Sequence, residues 1–242
     1  SAGEELSNIY SKVNAEIITT DINSAEIIKY INNSWHALKV AFGNEIGVIC
    51  KSLNISSDSV IDLFLKDNIL NISPHYLRPG FAYGGACLPK DLSALVSLAR
   101  ESRLSVPLLE SVSHSNDKHI DRAIDLIKSK YPKGTRVGIL GISFKSGTDD
   151  LRSSPALAVT DALNRQGYII SIFDSVVSQA IKEERNINLL RQCLGYAEQL
   201  IINNQDEFIL SCDLLVVANN SKENTEIINK ANLPVIDLVH VN

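Results

Sequence analysis

Several features that define membrane proteins and nucleic-acid-binding proteins are missing from this sequence of 242 residues. No uninterrupted apolar run approaches the roughly 18 residues that a membrane-spanning helix needs, and no signal-peptide pattern opens the chain. Acidic residues outnumber basic ones, and the resulting net charge of −5 argues against a nucleic-acid-binding protein. We therefore expect a protein that contacts neither membranes nor nucleic acids.

The sequence also lacks the cysteine spacing of a metal site or of a disulfide framework. Its four cysteines, Cys50, Cys87, Cys193 and Cys212, lie far apart and include no C-x-x-C pair. We therefore expect no bound metal and a reducing compartment, the cytoplasm. The three cysteines other than Cys87 lie in apolar sequence surroundings, so we expect them to be small buried hydrophobic residues and not reactive groups.

The apolar pattern changes character near residue 132. Before that point, residues 24–54 carry apolar side chains at helical spacing, with Ser24 as the predicted N-cap. Shorter helices are predicted near residues 57–68, from Pro89, and over 108–130. After residue 132, helical stretches alternate with four apolar segments, which predicts a parallel sheet covered on both faces. The segments are 136–141, 168–174, 213–219 and 234–238.

These patterns predict an α/β fold with two domains. We expect a helical domain over residues 21–131 and a Rossmann-like domain over residues 132–242, with the boundary near Pro132 and Gly134. Residues 1–20 read as one helix followed by a strand near 15–21. A lone strand cannot satisfy its backbone, so we interpret this segment as the remnant of a domain whose remainder is not in the chain.

The stretch GFAYGGACLPKD, residues 80–91, places a thiol between a flexible turn and a helix start. Gly84 and Gly85 permit a backbone path that a side chain would obstruct, including positive φ. Pro89 fits the first helical position, which would put Cys87 just ahead of the helix. The helix terminus and the nearby Lys90 would then stabilise a thiolate. A buried structural cysteine beside a turn is the alternative reading.

Three stretches in order resemble the UDP-glucose/GDP-mannose dehydrogenase family. Residues 80–91 resemble its cysteine motif, residues 25–47 its central helix, and VGILGISFKSGTDDLRSSP, residues 137–155, the opening of its nucleotide-sugar domain. The pair Trp35-His36, together with NIS at 71–73 and LRPGFAYGG at 77–85, is most similar to the branch that oxidises GDP-mannose to GDP-mannuronate.

The resemblance implies that residues 21–131 form a dimerisation domain and that residues 132–242 bind a nucleotide sugar. It also implies a chemistry. The family oxidises the C6 alcohol of a nucleotide sugar to a carboxylate in two hydride transfers to NAD, and a thiolate adds to the intermediate aldehyde. Cys87 would be the nucleophile, Lys29 and Asn33 would stabilise the reacting oxygen, and Asp91 would handle water. Lys29 and Asn33 share one face of a helix. Without the resemblance, a solvated helix face explains both, and a first-turn anion explains Asp91.

The resemblance also implies binding residues and partners. Lys90 and Arg152 match positions near NAD, and His75 stands where the GDP-mannose branch usually has tyrosine. A homodimer or larger homo-oligomer is expected, because the long helix presents too much apolar surface for one layer, and Asn44 and Asn71 match positions at the partner subunit's ligand. The residues implied to bind the nucleotide sugar are His36, Asn44, Asn71, Tyr76, Arg78, Phe81 and Lys145.

The family's NAD-binding fingerprint is not present in the sequence. No G-x-G-x-x-G follows a strand near the start, and GILGIS supplies only Gly138 and Gly141. Asp174 ends the second predicted strand as a ribose-binding acid would, but the shortened glycine pattern gives this only weak support. NAD is therefore expected to be bound mainly by a domain that this chain lacks.

Three alternatives stay open. The substrate could be UDP-glucose, and the chain as it stands could be a nucleotide-sugar-binding and dimerisation module without catalysis of its own. A cysteine hydrolase would need an activating histidine near Cys87, and His75 is the only candidate close in sequence.

Overall fold

The computed structural model describes residues 2–11, 13, 16–73, 80–185 and 187–239. The chain divides into two compact units, Ser1–Ser57 and Asp58–Asn242. This division lies earlier than the domain boundary expected near Pro132, because the helices that follow Asp58 belong to the same compact unit as the sheet. The three domain limits drawn from the sequence stay a prediction.

The described residues of the first unit form two helices, α1 (Ala2–Tyr10) and α2 (Ile22–Ser52). Asp21 caps α2, since its carboxylate accepts the Ser24 N–H at 3.0 Å, so the expectation that Ser24 is the N-cap was wrong. The predicted strand over 15–21 was also wrong, because the described residues 16–21 have no regular structure. A single β-branched segment with no strand beside it has no ladder to join.

The second unit contains a four-stranded parallel sheet among its described residues, with strand order β2-β1-β3-β4. The strands are β1 (Arg136–Leu140), β2 (Ile169–Phe173), β3 (Leu214–Val217) and β4 (Val235–Asp237). Each falls within one of the four apolar segments, and every pairing is parallel. The α/β fold predicted from the sequence is therefore confirmed.

Helices connect and cover these strands. Their bounds are α3 (Ser57–Phe64), α4 (Cys87–Glu101), α5 (Pro107–Lys130), α6 (Pro155–Arg165), α7 (Ser175–Lys182), α8 (Ile187–Leu194), a 3-10 helix over Gly195–Leu200, α9 (Gln205–Leu210) and α10 (Lys222–Ala231). Pro155 opens α6 and Gly167, at φ +90°, follows its end, as the sequence predicted.

Alternate residues of the strands pack on opposite faces of the sheet. Ile139 and Val216 belong to a core built with side chains of α5, α6 and α8, whereas Leu140 and Leu215 pack with Phe208 of α9 and others on the second face. Burial on both faces explains why the strands read as continuous apolar runs. In the sheet, β1 lies between β2 and β3, so the chain moves to one side of β1 to form β2 and later crosses to the other side to form β3. The carboxyl ends of β1 and β3 therefore meet where such sheets open a crevice.

The cysteines differ in exposure. Cys50 and Cys212 are buried, as expected for small hydrophobic residues, Cys193 is half-buried, and Cys87 is exposed. Within the part of the chain that the structure describes, none of the helices combines the length and apolarity that a membrane crossing requires.

Candidate functional site

A cavity of about 230 Å³ opens at the carboxyl ends of β1 and β3. The loop after β1 supplies Ser143, Phe144 and Lys145, the loop after β3 supplies Asn219, and Phe81 closes the cavity from a distant part of the sequence. Phe81 and Lys145, both expected to bind a nucleotide sugar, therefore line one cavity. Its aromatic, amide and ammonium groups suit a ligand with a planar base and anionic groups.

Asp174 anchors the loop after β1. Its buried carboxylate accepts the N–H groups of Val177, at 3.0 Å, Ile142, at 2.9 Å, and Ser143, at 3.3 Å. Burial raises the pKa of Asp174, and these backbone hydrogen bonds oppose that rise. Because the carboxylate already accepts three backbone N–H groups, we interpret Asp174 as a structural anchor of this loop. Its role as a ribose-binding acid stays a prediction.

A second buried polar group, Asn219, fixes the opposite wall of the cavity. Its side-chain Nδ2 donates to Ser143 Oγ at 3.1 Å. Its backbone carbonyl oxygen and its side-chain Oδ1 accept from Asn224 Nδ2 at 2.9 and 3.2 Å, respectively. Gly141, at φ +83°, lies under this side chain, and a Cβ there would come within 2.1 Å of Asn219 Oδ1. The position therefore requires glycine for packing as well as for its backbone conformation.

Residues 80–86 form the Cys87 loop, which runs from the cavity to the thiol. Its two central glycines pack directly on the segment before α6. The Gly85 N–H donates to the Arg152 carbonyl at 2.9 Å, and a Cβ on Gly84 would lie 2.4 Å from the Ser153 carbonyl oxygen. Gly85 has φ +88°, and a Cβ there would lie 2.9 Å from the Phe144 ring. The expectation that these glycines allow a path closed to side chains is confirmed.

Two side chains of α5 hold the other half of the loop. Asn116 Oδ1 accepts the Tyr83 N–H at 2.9 Å, and Asn116 Nδ2 donates to the Tyr83 carbonyl at 3.0 Å. His119 Nε2 lies 2.7 Å from the Gly80 carbonyl oxygen, and its ring packs against Phe81 with 6.5 Å between centroids. Sequence reasoning missed both residues, since their partners lie more than 30 positions away and no local pattern marks them.

Cys87 is the first residue of α4, and its side chain is exposed. The helix thus begins earlier than expected. Pro89 is its third residue, not its first, and the thiol lies within the first turn, not ahead of it. The thiol therefore lies at the N-terminal end of α4, which is the positive pole of the helix dipole. In the same turn, Lys90 and Asp91 form an exposed ion pair at 3.4 Å.

Four further predicted residues lie on other elements of the two units. Arg152 donates to Asp150 at 2.9 and 2.7 Å, and this contact lowers the pKa of Asp150. Asn71 lies in a turn after α3, where its amide donates to the Phe64 carbonyl at 3.2 Å. Lys29 and Asn44 are exposed on α2.

Five predicted residues lie wholly or partly outside the described part of the chain. Asn33 and His36 belong to α2, but their side chains lie outside the described part of the chain. His75, Tyr76 and Arg78 lie outside the described residues altogether.

Two family models match the chain. The model for the UDP-glucose/GDP-mannose dehydrogenase family, central domain, matches residues 23–118, and the model for the same family's UDP binding domain matches residues 138–239. Together they account for most of the chain and agree with the order of the motifs in the sequence.

Individual relatives are nucleotide-sugar dehydrogenases. A GDP-mannose 6-dehydrogenase of Pseudomonas aeruginosa is 39% identical over 239 residues, which is 98% of this chain and 54% of that protein. A UDP-glucose 6-dehydrogenase of Haloferax volcanii is 33% identical over 188 residues, covering 75% of this chain and 43% of that protein. The chain thus spans about half the length of the curated relatives it matches.

A crystal structure of a ternary complex of GDP-mannose dehydrogenase from Pseudomonas aeruginosa matches the fold. The TM-score is 0.91 at 38% identity, and the match covers 99% of this chain and 56% of that one.

Proposed function

Because the chain belongs to the UDP-glucose/GDP-mannose dehydrogenase family, we propose that it forms the substrate-binding, thiol-bearing part of an NAD-dependent nucleotide-sugar 6-dehydrogenase. The observation that carries this proposal is the Cys87 loop. Within seven residues it leads from Phe81 at the cavity to the exposed thiol of Cys87. The Cys87 loop would therefore connect a ligand in that cavity, at Phe81, with the thiol nucleophile at Cys87.

The substrate that we propose is GDP-mannose, with GDP-mannuronate as product. This choice is supported by 39% identity to a GDP-mannose 6-dehydrogenase over 98% of the chain, against 33% over 75% for a UDP-glucose 6-dehydrogenase. UDP-glucose is the alternative substrate, and the test below separates the two.

Cys87 supplies the covalent chemistry. A thiolate adds to the carbon of the C6 aldehyde, forming a carbon–sulfur bond while the carbonyl oxygen takes a proton. Oxidation of this thiohemiacetal to a thioester removes a hydride, which NAD⁺ would accept, and the hydroxyl proton. Water then attacks the same carbon, the carbon–sulfur bond breaks, and the carboxylate leaves with the thiol restored. Cys87 carries this thiol in the first turn of α4, at the positive pole of the helix dipole.

Other residues take roles from the family resemblance. The Lys29 ammonium and the Asn33 amide would stabilise negative charge on the reacting oxygen. Asp91, exposed beside Lys90, would orient the attacking water. His36, Asn44, Asn71, Tyr76, Arg78 and Lys145 would bind the nucleotide sugar together with Phe81.

The cofactor would be NAD, but the described part of the sheet does not fit a dinucleotide. The N–H groups of Ile142 and Ser143, which would cradle a pyrophosphate, are bound to Asp174. A Cβ on Gly138 would collide with Cys212, so this glycine serves packing within the sheet. We propose that NAD is bound mainly by a part of the protein outside the described sheet. Lys90 and Arg152 would lie near the bound NAD.

Exposed apolar side chains on α2 support a homodimer or larger homo-oligomer. Ile27, Ile28, Trp35 and Leu38 lie within about 100° of one another around the helix. They are between 41% and 54% exposed, which is more apolar surface than an isolated helix face usually leaves to water. We propose that a second copy of the chain covers this face, and Asn44 and Asn71 would then reach the partner's ligand.

The test is to supply the whole protein with NAD⁺ and either GDP-mannose or UDP-glucose and to follow NADH. Two NADH per GDP-mannose, with slower oxidation of UDP-glucose, are expected. Binding of GDP-mannose without NADH would support the non-catalytic binding module instead. Release of a hydrolysis product without NAD⁺ would support a cysteine hydrolase.

A further inference from the structure

We propose that Asn116 and His119 of α5 are positioning residues that fix residues 80–83, the half of the Cys87 loop that carries Phe81 to the cavity. The contacts of Asn116 and His119 with the loop do not depend on the proposed function, but the inference that they serve ligand binding rests on it. Neither side chain lines the cavity at the carboxyl ends of β1 and β3, so each reaches a ligand in that cavity only through the loop.

Asn116 gives the loop the pairing that a neighbouring strand would give. Residues 80–86 are themselves neither helix nor strand, and Tyr83 is half-buried, so its N–H and carbonyl need hydrogen bonds from outside the loop. One amide satisfies both groups, accepting at 2.9 Å and donating at 3.0 Å. Two parallel bonds from one planar group fix the orientation of the Tyr83 backbone as well as its position.

His119 fixes the loop one helical turn further along α5. A carbonyl oxygen only accepts, so the contact of 2.7 Å to Gly80 places the proton on Nε2. The same ring packs against Phe81 at an interplanar angle of 42°, within the range of favourable aromatic pairs. Since residues three apart share one face of a helix, Asn116 and His119 hold two points of the loop from one rigid surface.

The two halves of the loop are held by different elements. Gly84 and Gly85 rest on residues 152–155, through the Arg152 carbonyl and close packing against Ser153. Gly80 and Tyr83 are held by α5. Loss of the α5 contacts should therefore free Phe81 and leave the approach to Cys87 in place.

The experiment compares Asn116→Leu and His119→Leu with wild type in the whole protein. Hydrogen exchange measures the amides of Tyr83 and Gly85, and calorimetry measures the dissociation constant for GDP-mannose. We expect Tyr83 to exchange about tenfold faster in Asn116→Leu, Gly85 to be unchanged, and each dissociation constant to rise roughly tenfold. Alkylation of Cys87 by iodoacetamide should stay within about twofold of wild type.

Matched variants separate positioning from general damage. His119→Gln keeps a donor for Gly80 and should restore the dissociation constant to within about threefold of wild type. His114→Leu removes an exposed histidine from the same helix and should change nothing. If Asn116→Leu does not fold, Asn116→Asp, which keeps the acceptor and loses the donor, takes its place with an intermediate effect.

Two results would overturn the proposal. Unchanged exchange of Tyr83 in a folded Asn116 variant would show that the amide does not hold the loop. Faster exchange with an unchanged dissociation constant would show that the contact does not serve binding. A wild-type protein that binds neither nucleotide sugar would refute the proposed function, while the exchange of Tyr83 would still decide whether α5 fixes the loop.

Discussion

Alanine at Gly84, Gly85 and Gly134 separates two reasons for which a turn needs glycine. Gly134 has φ +86° with nothing within 4 Å of an added Cβ, so alanine there tests backbone conformation alone. Gly85 has nearly the same φ, +88°, and also a contact of 2.9 Å with the Phe144 ring. Gly84 lies outside the left-handed region, but an added Cβ would be 2.4 Å from a backbone carbonyl oxygen.

The expected losses of unfolding free energy follow from these contacts. Gly134→Ala should cost about 1–2 kcal/mol, the usual penalty of left-handed backbone for a side chain. Gly85→Ala should cost about 1 kcal/mol more, because the half-exposed Phe144 ring must shift. Gly84→Ala should cost about 3 kcal/mol, the upper part of the range for overpacking, because a backbone carbonyl cannot rotate away.

Urea unfolding followed by circular dichroism measures the three variants against wild type. Equal losses for Gly85→Ala and Gly134→Ala would refute the contact with Phe144. A loss below about 0.5 kcal/mol for Gly84→Ala, the size of an ordinary surface substitution, would refute the packing of the Cys87 loop on residues 152–155.

Three further predictions concern the cavity and the sheet. Lys145→Ala should raise the dissociation constant for GDP-mannose about tenfold in calorimetry. Lys133→Ala, at an exposed site away from the cavity lining, should leave it unchanged, and equal effects of the two variants would contradict a ligand in this cavity. Hydrogen bonds from Arg136 lower the pKa of Asp213, so their stabilisation is present above the unfolded value near pH 4 and is lost as pH falls through the lower folded value. Asp213→Asn should therefore flatten the acid side of the urea midpoint plotted against pH, and an unchanged slope would argue against the pair. Asp174→Asn places an amide N–H against backbone N–H donors and should cost about 1–3 kcal/mol in urea unfolding, and a neutral effect would contradict its anchoring role.

The sequence predicted those parts of the fold that depend on neighbouring residues. The four strands appear as apolar, β-branched segments because both faces of the sheet are buried, and Pro155 and Gly167 mark the ends of α6. Errors came where several local solutions compete. Asp21 and Ser24 are both good N-caps, and Pro89 is tolerated anywhere in the first turn, so neither helix start could be fixed by residue type alone.

The candidate site was only partly predictable. The glycines, Cys87, Phe81 and Lys145 belong to motifs contiguous in the sequence, and such motifs can be read directly. Asn116 and its partner Tyr83 are 33 residues apart, and nothing in either neighbourhood requires an amide there. The strand order, which brings the ends of β1 and β3 together, likewise depends on long-range packing that periodicity does not encode.

Whether the sulfur of residue 87 bonds to substrate carbon can be measured directly, by rapid acid quench of the whole protein turning over GDP-mannose with NAD⁺, followed by peptide mass spectrometry. We expect the Cys87 peptide to carry the mass of a nucleotide-sugar thioester during turnover and to lose it when substrate is exhausted. Two results would contradict a covalent role for this thiol. One is that the acid product forms at full rate while the Cys87 peptide stays unmodified throughout. The other is that Cys87→Ser forms the acid product at the wild-type rate.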